Sequence, residues 1–186
     1  MKKYICLVII LLSGLTASQA QRMLPNQKGL EVNAGVLSFD KLGSAYYLGI
    51  GMIMNGRNGN YGLWEMQYTH LYHTYKEITI PVETYTAEGG YSIFLLGDSR
   101  KNIALNLALT GIVGYERLNR GETVLYDGAK ILSKENWIYG AGGQLRFETY
   151  LTNKFIISLQ GRTRAIWGTD LELLRPSAGL GLRFNF

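Results

Sequence analysis

Cysteine is almost absent: of 186 residues only Cys6 carries a thiol, and it lies in an amino-terminal segment that reads as a removable export signal. Lys2 and Lys3 open that segment, an apolar run follows from Tyr4 to Leu12, and small residues ending in Ser18 and Ala20 precede a cut ahead of Gln21. Cleavage there leaves residues 21–186 with no thiol, which excludes disulfides, a thiol nucleophile and a cysteine metal site. The residues before Cys6 are charged or aromatic, so a lipid-attachment box is not expected. Long apolar runs are missing too. The signal's own run is shorter than the ~20 residues a spanning helix needs, which speaks against an uncleaved anchor. The best later candidate, Ile103 to Tyr115, is short and carries Asn106. Any residence in a membrane must therefore use strands.

Histidine is scarce as well. His70 and His73 are the only two, and a spacing of three puts them on opposite faces of a strand, so they cannot share a metal. The glycine-rich pieces G-I-G, A-E-G-G-Y and G-A-G-G-Q lie inside alternating segments, not at strand-to-helix turns, so they are not phosphate-binding loops. The formal charge of +5 owes part of its excess to the signal's two lysines and is too small and scattered to point to nucleic acid. No zinc knuckle, nucleotide fingerprint or nucleophile motif is present. The chain reads as a non-enzyme without a cofactor. One catalytic alternative stays open, His73 paired with Asp170 or Glu172 in the manner of outer-membrane proteases and acyltransferases.

What the sequence has in quantity is alternation. From Leu30 onward about eight segments place apolar residues on every second position, separated by Gly, Asn, Asp and Lys clusters. In the third segment Trp64, Met66, Tyr68, His70 and Tyr72 alternate with Glu65, Gln67 and Thr69. In the seventh, Phe155, Ile157, Leu159, Ala165 and Trp167 alternate with Ser158, Gln160, Arg162 and Arg164. The fold class predicted is all-β, an eight-stranded antiparallel up-and-down transmembrane β-barrel with a side-chain-filled lumen. The predicted organisation is a secretory signal over 1–20, a periplasmic arm over 21–29 and the barrel over 30–186.

Alternation alone does not say which face points out, since a soluble lipocalin-like barrel has the same period. Three features favour apolar outward. Every lysine after the signal (Lys28, Lys41, Lys76, Lys101, Lys130, Lys134, Lys154) falls in a turn or at a strand end, whereas sheets facing water carry lysine along their strands. The polar face carries arginine, glutamate, amides and glycine, which suits a narrow lumen. Aromatics sit near strand ends on the apolar face, and Trp64, Tyr72, Tyr115, Trp137, Phe155, Trp167 and Phe184 form a candidate interfacial girdle. With the polar faces inward, Glu31, Glu65, Glu88 and Glu148 share the interior with Arg146, Arg162, Arg164 and Arg183. Buried charges must be paired, so these eight are expected to form a lumen charge network. A lumen that binds or conducts protons is the functional alternative. The turns N-G-R-N-G-N, G-D-S-R-K-N and T-N-K are short, which puts both termini on the periplasmic side and the longest connection, 118–136, outside the cell.

The chain ends A-G-L-G-L-R-F-N-F, an amphipathic strand with a terminal aromatic. It looks like the assembly signal of a Gram-negative outer-membrane barrel, carried here by Gly181, Phe184 and Phe186. The mature start Q-R-M-L-P-N-Q-K-G-L-E-V-N-A-G, the segment Y-G-A-G-G-Q-L-R-F-E-T-Y-L-T-N-K-F and the end S-A-G-L-G-L-R-F-N-F resemble the conjugative-transposon protein TraO family over almost the whole chain. The resemblance implies an outer-membrane protein of the apparatus that moves a mobile element between cells, and it brings no catalytic residues.

A barrel of this size has no pore for DNA, so a scaffold or anchor is expected in place of a conduit. The expected partners are outer-membrane lipid, the barrel-assembly machinery and other conjugal transfer proteins, including an arrangement of several copies in a ring, with no direct nucleic-acid binding. The arm residues Arg22, Met23, Leu24 and Pro25 are candidates for partner contact, since the arm has no strand pattern and suits a segment that orders on a partner. The competing class is a stand-alone surface protein of the adhesion or defence type, acting through the loop around Tyr126, Asp127 and Gly128.

Overall fold

The structure is a computed structural model that describes residues 24–37, 45–75, 78–98, 102–118, 135–169 and 171–186. Eight strands follow in chain order: β1 (Lys28–Val36), β2 (Ala45–Asn55), β3 (Tyr61–Tyr75), β4 (Ile78–Gly97), β5 (Ile103–Leu118), β6 (Glu135–Tyr150), β7 (Phe155–Trp167) and β8 (Leu174–Asn185). Each pairs antiparallel with the next, and β8 returns to β1, so the sheet closes into a barrel with no free edge. The expected eight-stranded antiparallel barrel is what the chain forms.

The face assignment follows from burial. Along β7 exposure alternates residue by residue: Phe155, Ile157, Leu159 and Trp167 are exposed, while Ser158, Gln160, Arg162 and Arg164 are buried. Across the barrel the outward side chains include Met66 at 70% exposure, Leu109 at 65% and Trp137 at 79%. The buried set is dominated by Glu, Arg, Asn, Gln, Ser and Thr. That is the inverse of a water-soluble barrel. At roughly 25 cal/mol per Å² of apolar surface, this outer wall would be costly in water and is stable against hydrocarbon.

Three tight turns at the end that carries both termini fix the register. Between β2 and β3, Asn58 (φ 58°) and Gly59 (φ 81°) both take left-handed backbone, with the Asn60 amide donating to the Arg57 carbonyl, the type I′ geometry that matches strand twist. Between β4 and β5, Asp98 accepts from the amides of Asn102 and Ile103. Between β6 and β7, the Thr152 hydroxyl accepts from the amides of Lys154 and Phe155.

Three details differ from the sequence reading. β1 begins at Lys28, not Leu30, because the Phe186 amide donates to the Lys28 carbonyl and the barrel closes two residues earlier. Leu151, in phase with the apolar Leu145 and Phe147 and so read as strand, lies in the turn after β6, where its amide donates to the Phe155 carbonyl. The alternation of β4 slips at a bulge between Phe94 and Leu96, where the Phe94 amide donates to the Asn60 side chain instead of staying wholly within the ladder.

At the loop end the wall is uneven. β2 stops opposite Leu71 and β5 stops opposite Val82, yet β3 and β4 stay paired out to Tyr75 and Ile78. The β3–β4 pairing therefore runs past the paired ends of β2 and β5.

Candidate functional site

The lumen is filled by charge. Among the described residues, five glutamates (Glu31, Glu65, Glu88, Glu116, Glu148) and five arginines (Arg146, Arg162, Arg164, Arg175, Arg183) are buried inside the wall, brought inward by strand parity. Their balance matters because an unpaired ion in so small an interior would cost several kcal/mol.

They are arranged in three groups along the axis. Nearest the termini, Arg146 Nη2 donates to both oxygens of Glu31, at 2.6 Å to Oε1. Arg183 Nε donates to Glu31 Oε2 at 3.2 Å and Nη2 to Glu148 Oε1 at 2.6 Å. Glu148 also accepts from Tyr61 at 2.6 Å and Tyr150 at 3.1 Å. The Tyr61 ring lies against the Arg183 guanidinium, 4.9 Å from its centroid. In the middle, Arg162 donates to Glu65 at 3.0 Å and Gln67 at 2.8 Å, and Arg164 pairs with Glu88 at 2.6 Å while sharing Gln67. Toward the loop end, Arg175 pairs with Glu116 at 2.7 Å, and Thr169 donates to the same carboxylate.

The structure thus brings the eight sequence-predicted charges into two groups, a quartet of Glu31, Glu148, Arg146 and Arg183 and a middle set of Glu65, Glu88, Arg162 and Arg164. The Glu116–Arg175 pair was missed. Its signal was parity: Glu116 continues the inward face of Gly114, and Arg175 that of Gly181 and Arg183, but both lie near strand ends beside long connections. Tyr47, Tyr61 and Tyr150 also point inward, where the sequence reading had kept aromatics on the outer face. Tyr47 fits because Gly35 and Gly179, facing each other across β1 and β8, leave room for its ring; a Cβ on either would collide with it. The ring in turn supports Arg162 at 4.8 Å.

The other predicted residues fall as follows. Phe155 and Phe184 pack together outside at the terminus end, with centroids 5.1 Å apart, and Trp64 lies outward over Gly89. Tyr115 meets Trp137 at 5.5 Å and Trp167 stacks on Tyr139 at 6.2 Å, toward the loop end, and Tyr72 meets His70 at 4.8 Å. Gly181 points inward against Ser158 and Gln160, and Phe186 is exposed. Leu24 and Pro25 lead into a turn pinned to β2, since the Asn26 amide donates to the Asn55 carbonyl and the Asn55 amide to Gln27. Arg22, Met23, the signal and loop residues 119–134 lie outside the described residues. So do Asp170 and the side chain of His73, and with them the catalytic alternative.

The family described as conjugative transposon protein TraO matches residues 24–186, the whole barrel and the turn that precedes it. The chain belongs to the TraO family. No curated protein matches it. Among solved structures, this TraO-family barrel is similar to Neisserial surface protein A, with a TM-score of 0.57 and 13% identity over 86% of this chain and 96% of that one. It is also similar to Ail, the attachment invasion locus protein of Yersinia pestis, with a TM-score of 0.56 and 9% identity over 88% of this chain and all of that one. At such identities the likeness is one of fold, that of small outer-membrane barrels.

Proposed function

We propose that the chain is a structural component of a conjugal DNA transfer apparatus, exported by its signal peptide and seated in the outer membrane of a Gram-negative bacterium. It acts there as scaffold or anchor. The observation that carries this reading is the filled lumen inside a TraO-family barrel: five buried arginines, each paired with a buried glutamate, occupy the interior in three groups, so a single copy offers nucleic acid no path. Role then passes to what the barrel presents at its two ends. The terminus end, taken as periplasmic, holds the arm, whose base at Asn26 and Gln27 is fixed to β2, and the contact residues proposed are Arg22, Met23, Leu24 and Pro25. This supports a contact with other transfer proteins, and a ring of copies would present several such arms.

The test removes Arg22 to Pro25 and keeps Asn26 and Gln27, whose backbone is bonded to Asn55. Heat-resistant migration of the barrel in outer-membrane fractions should be unchanged, while transfer frequency and co-purification of transfer proteins should fall at least tenfold. Retention of both would refute the arm as the contact. A second reading, a surface protein of the adhesion or defence type, is favoured by the longer β3–β4 pairing at the opposite end. Normal transfer from a donor lacking the gene, with loss of a surface phenotype, would select it.

A further inference from the structure

The outward wall from β2 to β6 carries a feature that the scaffold reading does not use. Register aligns its side chains in rows. One row runs Leu48, Tyr68, Tyr85, Tyr115, Trp137; the row below it, toward the terminus end, runs Ile50, Met66, Ala87, Val113, Tyr139. Ala87 is the one small side chain among bulky neighbours. Around it the wall forms a shallow, open depression walled by Met66, Tyr68, Tyr85, Val113, Tyr115 and Trp137, the shape that lets an acyl chain lie along the wall. Every one of these side chains faces away from the lumen, so the occupant must come from the hydrocarbon phase.

The row immediately above, toward the loop end, is of another character: Tyr46, His70, Glu83, Arg117 and Glu135. The Tyr68 hydroxyl donates to Glu83 at 3.4 Å and lies 3.4 Å from His70 Nδ1. Arg117 pairs with Glu135 at 3.4 Å, both side chains remaining more than a third exposed. Two carboxylates against one guanidinium make this row a poor seat for a phosphate, so the contact it offers a glycolipid is to uncharged sugar hydroxyls, with any phosphate lying outside the row. Its mixture of donors and acceptors suits hydroxyl groups, and the exposed indole of Trp137 beside it offers the flat apolar plate on which sugar C–H faces pack.

We propose that this wall binds one glycolipid of the outer leaflet, with an acyl chain in the depression over Ala87 and sugar hydroxyls against Glu83, Arg117 and Glu135. The proposal rests on the outer-membrane placement proposed above, with the loop end outward. Polar heads and hydrocarbon tails then meet the wall in the order in which the rows present them.

The full barrel, extracted from outer membranes in mild detergent and stripped of lipid, is offered rough lipopolysaccharide, phosphatidylglycerol or phosphatidylethanolamine, and adducts are read by native mass spectrometry. The expected result is a single rough-lipopolysaccharide adduct that survives detergent washing and falls at least tenfold in A87W and in R117Q. It should persist in L180W, a bulky change at an exposed site on β8. Each variant is first shown to migrate as a heat-resistant barrel, so loss of the adduct cannot be loss of the fold. Equal retention of phosphatidylglycerol would overturn head-group recognition, equal retention by A87W would overturn the groove, and a folded barrel that keeps no lipid would overturn both. Failure of the outer-membrane reading would show separately, as absence of the chain from the outer-membrane fraction.

Discussion

Glu31 is the residue on which the lumen turns most. It takes hydrogen bonds from Arg146, Arg183 and Gln160, and with its side chain replaced by leucine two buried guanidiniums would face each other across the space. The expected cost of E31L is about 3–5 kcal/mol, read as a lowered urea midpoint of the folded barrel in lipid vesicles. Adding R146L should recover a good part of that loss, because Arg183 and Glu148 remain paired at 2.6 Å; a double variant no better than the single would show that the two charges are not coupled. Gly179 gives a second test at this scale. Valine there would strike the Tyr47 ring and the β1 backbone, with an expected loss of roughly 1–3 kcal/mol. Alanine at Gly62, where a Cβ would meet nothing within 4 Å, should leave the urea midpoint within error.

Strands were legible in the sequence, and their partners across the lumen were not. Period two placed Arg146 and Glu31 on inward faces, but they lie 115 positions apart and meet only because β8 closes on β1. Which arginine reaches which glutamate depends on stagger and on side-chain length across the lumen, and no local pattern encodes either. The bulge at Phe94 to Leu96 was hidden for a similar reason: a run of apolar residues keeps its hydrophobicity when it slips by one, so composition leaves no trace of the slip. Turn chemistry was more readable, since N-G-R-N-G-N holds the Asn58–Gly59 pair that type I′ geometry needs. Valine at Gly59 would force left-handed backbone on a β-branched residue and press on Phe94. G59V should therefore lower refolding yield into detergent micelles and destabilise the barrel by about 1–2 kcal/mol. Unchanged yield and stability would show that this turn does not set the β2–β3 register.

At the scale of the molecule everything depends on the wall being inverted, with ions inward and hydrocarbon outward. The lumen network, the exclusion of a DNA path and the lipid groove all follow from that one orientation. Trp64, Trp137 and Trp167 are the chain's only tryptophans and all three face outward, so they report on it directly. The decisive measurement is tryptophan fluorescence of the folded barrel in vesicles whose acyl chains carry bromine, compared with quenching by aqueous acrylamide. The expected result is strong quenching by the brominated lipid and weak quenching by acrylamide. A barrel that stays soluble without detergent, with its tryptophans untouched by brominated chains, would contradict the account.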